Sequence, residues 1–168
     1  MKIRLIELRD APKLLDFESK NRDWFERTID SRGEYFYCSF GVLSHIEECL
    51  YEYQQDVLLP MLIVGDDGQI LGRINLSNID QFNCRAELGY RVGQAFTNQG
   101  IAKEAVAQIK QHAQQYGLEK LIAYAATTNP ASQKVLMANE FAVIEEHSNF
   151  ATINGVSLTC LELECSLI

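Results

Sequence analysis

Residues 90–102 read YRVGQAFTNQGIA, and this stretch joins a strand pattern to a helix pattern through a short loop. The N–H groups in the first turn of a helix have no partner within the helix, and the aligned peptide dipoles make that end positive. Gly100 and Ala102 are small enough for an anion to approach the backbone. The stretch therefore predicts a phosphate-binding loop that needs no lysine, and it matches neither the G-x-x-x-x-G-K-[ST] nor the G-x-G-x-x-G pattern. A plain helix start capped by Asn98 is the alternative.

The patterns on either side place this loop in a fold. Residues 84–92 alternate, with Ala86, Leu88 and Tyr90 on one face and Glu87, Gly89 and Arg91 on the other, which predicts a strand. Residues 99–116 repeat an apolar residue every four positions, which predicts a helix. The other patterns predict strands at 2–8, 61–65, 69–76, 120–126, 141–150 and 156–167. They also predict a helix that Asp10 caps, chain breaks at Gly33 and Gly41, and helices at 42–56 and 129–139. Asp66-Asp67-Gly68 and Asn154-Gly155 are hairpin-turn signals. This order of elements predicts an α+β fold, a mixed sheet with helices packed on it.

Length and charge argue against several classes of protein. A chain of 168 residues fits one domain, 1–168, that buries a core without needing a disulfide or a metal. The net charge of −8 argues against nucleic-acid binding and against docking on anionic membranes. The first residues lack an apolar signal segment, no apolar run reaches the ~20 residues of a membrane span, and the five cysteines form no C-x-x-C pair. We therefore expect a cytoplasmic protein without a metal site, either a monomer or a homodimer.

Two blocks of the sequence resemble the GNAT acetyltransferases. Residues 97–105, TNQGIAKEA, resemble that family's acyl-CoA pyrophosphate loop, Q/R-x-x-G-x-G/A, although Thr97 stands at its first position. Residues 127–136, TTNPASQKVL, resemble its fifth strand and the following helix. The spelling AELGYRV at 86–92 is closest to the RimJ/RimL branch, whose members acetylate protein N-termini. The resemblance implies an acetyltransferase domain with a mostly antiparallel sheet and helices on both faces.

The resemblance also implies where the cosubstrate, acetyl-CoA, is held. Its contacts are expected from the fourth strand, from the loop and from the start of the helix after the fifth strand. These residues are Tyr90, Arg91, Val92, Thr97, Asn98, Gln99, Gly100, Ile101, Ala102, Asn129 and Ser132. A backbone N–H group near 90–92 is expected to hold the oxyanion. Asn129 also suits the N-cap of the helix that Pro130 begins.

Two side chains are candidates for catalysis. A base must take a proton from the attacking amine, and Glu87 is the candidate; its alternative is an outward polar residue or an ion pair with Arg85 or Arg73. Ser132 is the candidate donor to the leaving thiolate; its alternative is a hydrogen bond to the backbone. The tyrosine that serves many members of the family as general acid is replaced here by Leu136.

The acceptor pocket is the least specified part of the site. Trp24 and Phe25 lie where the resemblance places that pocket, although burial in the core is the commoner fate of an aromatic residue. His147 is a weaker candidate on a later strand. The expected acceptor is a primary amine, in first place a protein N-terminal α-amine. A polyamine or an aminoglycoside is the alternative substrate, and a non-catalytic acyl-CoA-binding module or an interaction domain is the alternative function.

Overall fold

A computed structural model describes residues 1–168 and contains one seven-stranded sheet. The strands are β1 (Lys2–Leu5), β2 (Leu59–Val64), β3 (Ile70–Asp80), β4 (Arg85–Val92), β5 (Lys120–Ala126), β6 (Ala142–Ile153) and β7 (Val156–Ser166). The helices are α1 (Ala11–Lys20), α2 (Arg22–Phe25), α3 (Ser39–Gln54), α4 (Ile101–Gln115) and α5 (Pro130–Met137). The strand order is β1-β2-β3-β4-β5-β7-β6, and only the neighbours β4 and β5 run parallel. The expected mixed, mostly antiparallel sheet is confirmed.

The helices cover both faces of the sheet, as expected. One core joins α4 and α5 to the face that carries Ala86 and Leu88 of β4. The other core joins α1 and α3 to the opposite face of β2 and β3. Neighbouring residues of β2 divide between the two cores, Leu62 in the second and Ile63 in the first, because successive side chains of a strand point to opposite faces.

The two hairpins form where the turn signals lie. Asn154 and Gly155, which join β6 to β7, both have positive φ angles, as a two-residue hairpin turn requires. The turn before β3 closes through a hydrogen bond from the Gly65 N–H to the Gln69 carbonyl, 2.9 Å. The Asn154 side chain also donates to the Glu26 carbonyl at 2.9 Å, so the tip of the β6–β7 hairpin lies against the segment after α2.

Two local predictions are wrong. Gly41 does not end a segment but lies inside α3, because a Cβ there would lie 2.0 Å from the Tyr35 carbonyl oxygen and only glycine permits this approach. The Asp10 carboxylate does not cap α1; it accepts hydrogen bonds from the Glu7 backbone and from the Arg4 guanidinium instead. The helix α2 was not predicted at all. None of the helices is both long and apolar enough to span a bilayer.

Candidate active site

The centre of the sheet contains a gap between β4 and β5. The two strands are paired only from Arg85 opposite Lys120 to Glu87 opposite Ile122, although β4 continues to Val92 and β5 to Ala126. On its other side β4 stays paired with β3 as far as Val92. The Gly93 N–H donates to the Leu71 carbonyl on the β3 side at 2.9 Å. By strand alternation, the N–H groups of Val92 and Tyr90 therefore point into the gap, where they are available to a ligand.

The loop at the end of β4 presents a row of free backbone donors. The N–H groups of residues 98–103 donate to no acceptor in a loop or side chain, and those at the start of α4 have none within the helix. Gly100 is the N-cap residue of α4, with φ +77°, a left-handed conformation that favours glycine. The predicted capping role of Asn98 is wrong, since no side chain caps α4.

Side chains of the loop, and of Asn21 directly after α1, hold these donors in place. Thr97 Oγ1 donates to the Gln94 carbonyl at 2.9 Å, and Gln99 Nε2 donates to the Ala95 carbonyl at 3.0 Å. Asn21, a buried residue that the sequence did not single out for this role, accepts the Gln94 N–H at 2.8 Å. Ile101 and Ala102 are half-buried in the first turn of α4. Their side chains leave the anion-binding potential to the backbone and to the helix dipole.

A tyrosine bridges the gap to α5. The Tyr90 hydroxyl lies 3.0 Å from Ser132 Oγ and donates to the Ser132 carbonyl at 3.2 Å. Asn129 caps α5 as predicted, since its Oδ1 accepts the Ser132 N–H at 3.1 Å. Burial raises the pKa of Tyr90, so the phenol keeps its proton at neutral pH. The gap thus contains two neutral hydroxyl groups next to each other, while Leu136 is buried in the core.

Glu87 lies where the gap opens. It belongs to the last paired position of β4 and β5, and its side chain points to the face opposite Ala86 and Leu88. We call this the Glu87 face. Glu87 forms no ion pair: Arg85 pairs with Asp80, and Arg73 pairs with Glu18. The alternative of a structural ion pair is therefore wrong, and the half-buried carboxylate has no charged partner.

Trp24 and Phe25 have different environments. Trp24 is half-buried, and its indole Nε1 donates to the Val92 carbonyl at 3.2 Å, so it lies at the end of β4 beside the gap. Phe25 is only 3% exposed and packs against Phe17, with ring centroids 5.7 Å apart. Phe25 therefore does not line an acceptor pocket, and the prediction that it does is wrong.

Arg91 points away from the gap: by strand alternation its N–H is directed toward β3. Its side chain lies on the Glu87 face, where it donates to Glu18 of α1 at 2.8 Å, and the position opposite it in the sheet is Arg73 of β3. Burial lowers the pKa of Arg91 to about 10, so the guanidinium is still charged at neutral pH. Burial would raise the pKa of Glu18, but Arg91 and Arg73 outweigh it and hold that pKa below its ordinary value. Arg91 thus faces away from Tyr90 and Ser132.

Sequence reasoning singled out His147 but missed the aromatic and acidic side chains around it on the Glu87 face of β5, β6 and β7. Tyr124 stacks on Phe150, with centroids 4.7 Å apart, and lies opposite Glu162 in the sheet. Glu162 Oε2 lies 2.6 Å from His147 Nε2, and Glu145 is 4.0 Å from the same nitrogen. The ligand atoms of Glu145, His147 and Glu162 lie within 4.8 Å of one another, but the His147–Glu162 hydrogen bond already accounts for this arrangement. Alternation along β5 is the sequence pattern that could have revealed this group. It places Tyr124 on the same face as Ile122, which lies opposite Glu87 in the sheet.

Comparisons with known proteins agree with this geometry. The family model described as the acetyltransferase (GNAT) domain matches residues 1–142. The chain is 27% identical over 157 residues to the probable N-acetyltransferase YjcK of Bacillus subtilis (strain 168), covering 92% of this chain and 87% of that protein. It is 28% identical over 123 residues to the ribosomal-protein-serine acetyltransferase of Escherichia coli (strain K12), covering 73% of this chain and 68% of that protein.

A solved structure shows the same fold. Mycobacterium smegmatis RimJ in complex with CoA-disulfide superimposes with a TM-score of 0.91 at 21% identity, covering 98% of this chain and 80% of that chain. The matched family model spans most of the chain, including β4, the loop, α4, β5 and α5. The chain therefore belongs to the GNAT acetyltransferase family and is an acetyltransferase whose acyl donor is acetyl-CoA.

Proposed function

We propose that this protein acetylates an N-terminal α-amine of a peptide or protein, by direct attack of the amine on acetyl-CoA in a ternary complex, as in the RimJ/RimL branch. The observation that carries the proposal is the gap between β4 and β5, with Glu87 on one face and the Tyr90–Ser132 hydroxyl pair on the other. The Escherichia coli relative, named for acetylation of a ribosomal protein at serine, supports this class of acceptor.

The donor's binding site follows from the free groups of the chain. The N–H groups of residues 98–103 would hold the pyrophosphate, because they form a positive helix end with no competing acceptor. The N–H groups of Val92 and Tyr90 would pair with the arm that runs through the gap and with the acetyl oxygen. Asn129, at the start of α5, would contact the same ligand from the other wall. Arg91 is left out of this set, because by strand alternation its N–H points toward β3 and its side chain lies on the Glu87 face.

Each catalytic group has one task. Glu87 accepts the proton of the incoming ammonium, directly or through one water, so that the nitrogen gains a lone pair for attack. The nitrogen–carbon bond forms while a backbone N–H of β4 stabilises the negative oxygen, and the carbon–sulfur bond breaks as the nitrogen releases its second proton to solvent. Ser132 donates its proton to the leaving thiolate and regains one from solvent, and Tyr90 at 3.0 Å supports it as a second donor. Because burial raises the pKa of Tyr90, the phenol remains protonated for this task.

The substitution Glu87→Gln tests the assignment of the base. We expect kcat to fall by about 100-fold or more, since general bases contribute roughly 10²–10⁴-fold. The affinity for acetyl-CoA, measured by calorimetry, should be unchanged. Glu47→Gln is the matched control, an exposed glutamate on α3, and it should retain full activity. A kcat of Glu87→Gln within three-fold of wild type would exclude Glu87 as the base.

A polyamine acceptor is the second candidate. The aromatic pair Tyr124–Phe150 next to Glu162 favours binding of a cation, since aromatic faces and carboxylates both attract ammonium groups. An N-terminal ammonium would be attracted to the same aromatic and acidic side chains. Assays with several acceptor amines therefore distinguish a peptide from a polyamine as the substrate. We expect a peptide with a free N-terminus to be acetylated, and spermidine and an N-blocked lysine peptide to remain unmodified.

A further inference from the structure

A cluster of arginines lies on the Glu87 face with too few carboxylates to balance it. Its centre is Glu18, 1% exposed, whose Oε1 accepts hydrogen bonds from Arg73 at 2.9 Å and from Arg91 at 2.8 Å. Two guanidinium groups therefore share one carboxylate. Both are largely buried, with side chains 8% and 19% exposed. The Nε of Arg91 is buried without any hydrogen-bond partner, so Glu18 leaves this group incompletely paired.

The groups around this centre do not neutralise its positive charge, and one of them adds to it. His45 Nε2 lies 2.7 Å from Arg73, and burial together with the charge of Arg73 lowers its pKa to about 3, so His45 is neutral. Arg32 lies over the Phe36 ring, 4.5 Å from the centroid, and forms no ion pair. The charges of Glu18 and Arg73 both act on Arg32.

The nearby acids do not change this balance. Glu26 and Glu34 both pair with Arg22, at 3.1 and 2.6 Å. The Cys49 thiol, 3.6 Å from His45, has its pKa raised by burial and is neutral. Three arginines thus stand against one glutamate in a protein whose net charge is −8. Buried charge is costly unless it is paired, so this local excess of cations predicts an anionic partner.

The distance between the cluster and Glu87 allows the anionic partner to be part of the acceptor itself. Arg91 follows Glu87 by four residues on the same face of β4, and Gly89 lies between them. A strand rises about 3.3 Å per residue, so the cluster lies roughly 7 Å beyond Gly89 and 13 Å beyond Glu87. An extended peptide whose α-amine is at Glu87 covers this distance with its second to fourth residues.

We propose that Arg32 and Arg91 form an anion subsite for the acceptor, and that the preferred acceptors are α-amines of peptides with a carboxylate within about the first four residues. The inference rests on the proposed function and narrows its substrate class. The amine then binds toward Glu87 and the carboxylate toward the arginines. A polyamine, which is cationic along its whole length, is disfavoured by the same cluster.

Matched peptides test the subsite. Ser-Asp-Asp-Gly-amide and Ser-Asn-Asn-Gly-amide differ only in the carboxylates, and Ser-Asn-Asn with a free C-terminus supplies a main-chain carboxylate instead. We expect kcat/KM to be at least about ten-fold higher for the aspartate peptide than for the asparagine peptide, as for one hydrogen bond to a charged group. Comparing kcat/KM of the aspartate peptide with that of the free-C-terminus peptide shows whether the subsite prefers a side-chain or a main-chain carboxylate.

Arg32→Gln should reduce this preference to three-fold or less, and Arg9→Gln, at an exposed arginine paired with Glu7, should leave it intact. Arg32→Gln removes an unpaired cation, so its Tm should equal or exceed that of wild type. If the three peptides are acetylated equally by the wild-type protein, the subsite is refuted while the proposed function stands.

If acetyl-CoA binds but no peptide is acetylated, the proposed function fails, and the subsite is then tested by binding alone. The CoA-bound protein is titrated calorimetrically with the N-acetylated aspartate and asparagine peptides. At least ten-fold tighter binding of the aspartate peptide, lost in Arg32→Gln, supports the subsite. Equal affinities overturn it.

Discussion

Replacing Glu18 by Gln removes the single negative charge that two buried arginines share. The carboxylate is 1% exposed, and both of its charged hydrogen bonds are shorter than 3.0 Å. Removing one partner of a buried ion pair costs about 3–5 kcal/mol, because the other charge is left uncompensated. The loss of unfolding free energy should lie toward the upper end of this range, because Arg73 and Arg91 both lose their partner and Arg32 adds a third positive charge.

This cost corresponds to a large change in melting temperature. Unfolding entropy is about 0.35 kcal/mol per kelvin for 168 residues, so the expected fall in Tm is roughly 8–14 °C. Differential scanning calorimetry at pH 7 measures it. Glu140→Gln is the matched control, because the side chain of Glu140 is 85% exposed and pairs with Lys110 at the surface. This substitution should change Tm by no more than about 2 °C.

The pH dependence gives a second measure of the same effect. The pKa of Glu18 is lower in the folded protein than its ordinary value, so its stabilising effect is complete above the unfolded-state pKa of about 4.3. It is lost as the pH falls through the folded-state pKa. The Tm difference between wild type and Glu18→Gln should therefore be constant near neutral pH and shrink below about pH 4. A difference under 3 °C at pH 7 would refute the reasoning on buried charge.

Three further substitutions probe the gap. Gly100→Ala places an L-residue at φ +77°, which costs about 1–2 kcal/mol, so the loop should shift. Calorimetry should then show weaker binding of acetyl-CoA. An unchanged affinity would mean that this loop is not part of the donor site. Tyr90→Phe removes the hydroxyl that lies 3.0 Å from Ser132 Oγ. We expect kcat to fall about ten-fold, while the Kd for acetyl-CoA stays the same. An unchanged kcat would leave Ser132 as the sole proton donor. Trp24→Phe removes the hydrogen bond to the Val92 carbonyl at the end of β4; KM for the peptide should rise while acetyl-CoA affinity holds, and an unchanged KM would place the peptide elsewhere.

The features that sequence predicts best are those with local causes. The loop at 93–103, the Asn129 cap and the Asn154-Gly155 turn each depend on residues within a few positions of one another. Alternation along β4 likewise assigns Glu87 and Tyr90 to opposite faces, because strand geometry has a period of two.

The features that sequence does not predict depend on contacts between distant residues. Glu18 meets Arg73 across 55 positions and Arg91 across 73, and Tyr90 meets Ser132 across 42. No local pattern encodes these pairs. Arg91 is a different case: its place in a motif suggested a contact with the donor, whereas alternation along β4, a local pattern, places its side chain on the opposite face. Gly41 was interpreted as a chain break because the approach of the Tyr35 backbone is visible only in three dimensions.

The most direct test of the central claim is mass spectrometry of a peptide incubated with the protein and acetyl-CoA. The account predicts one added acetyl group on the α-amine of Ser-Asp-Asp-Gly-amide, with release of one free CoA thiol per acetyl group, and neither product with Glu87→Gln. Acetylation of spermidine or of a lysine side chain, with the α-amine unmodified, would contradict it.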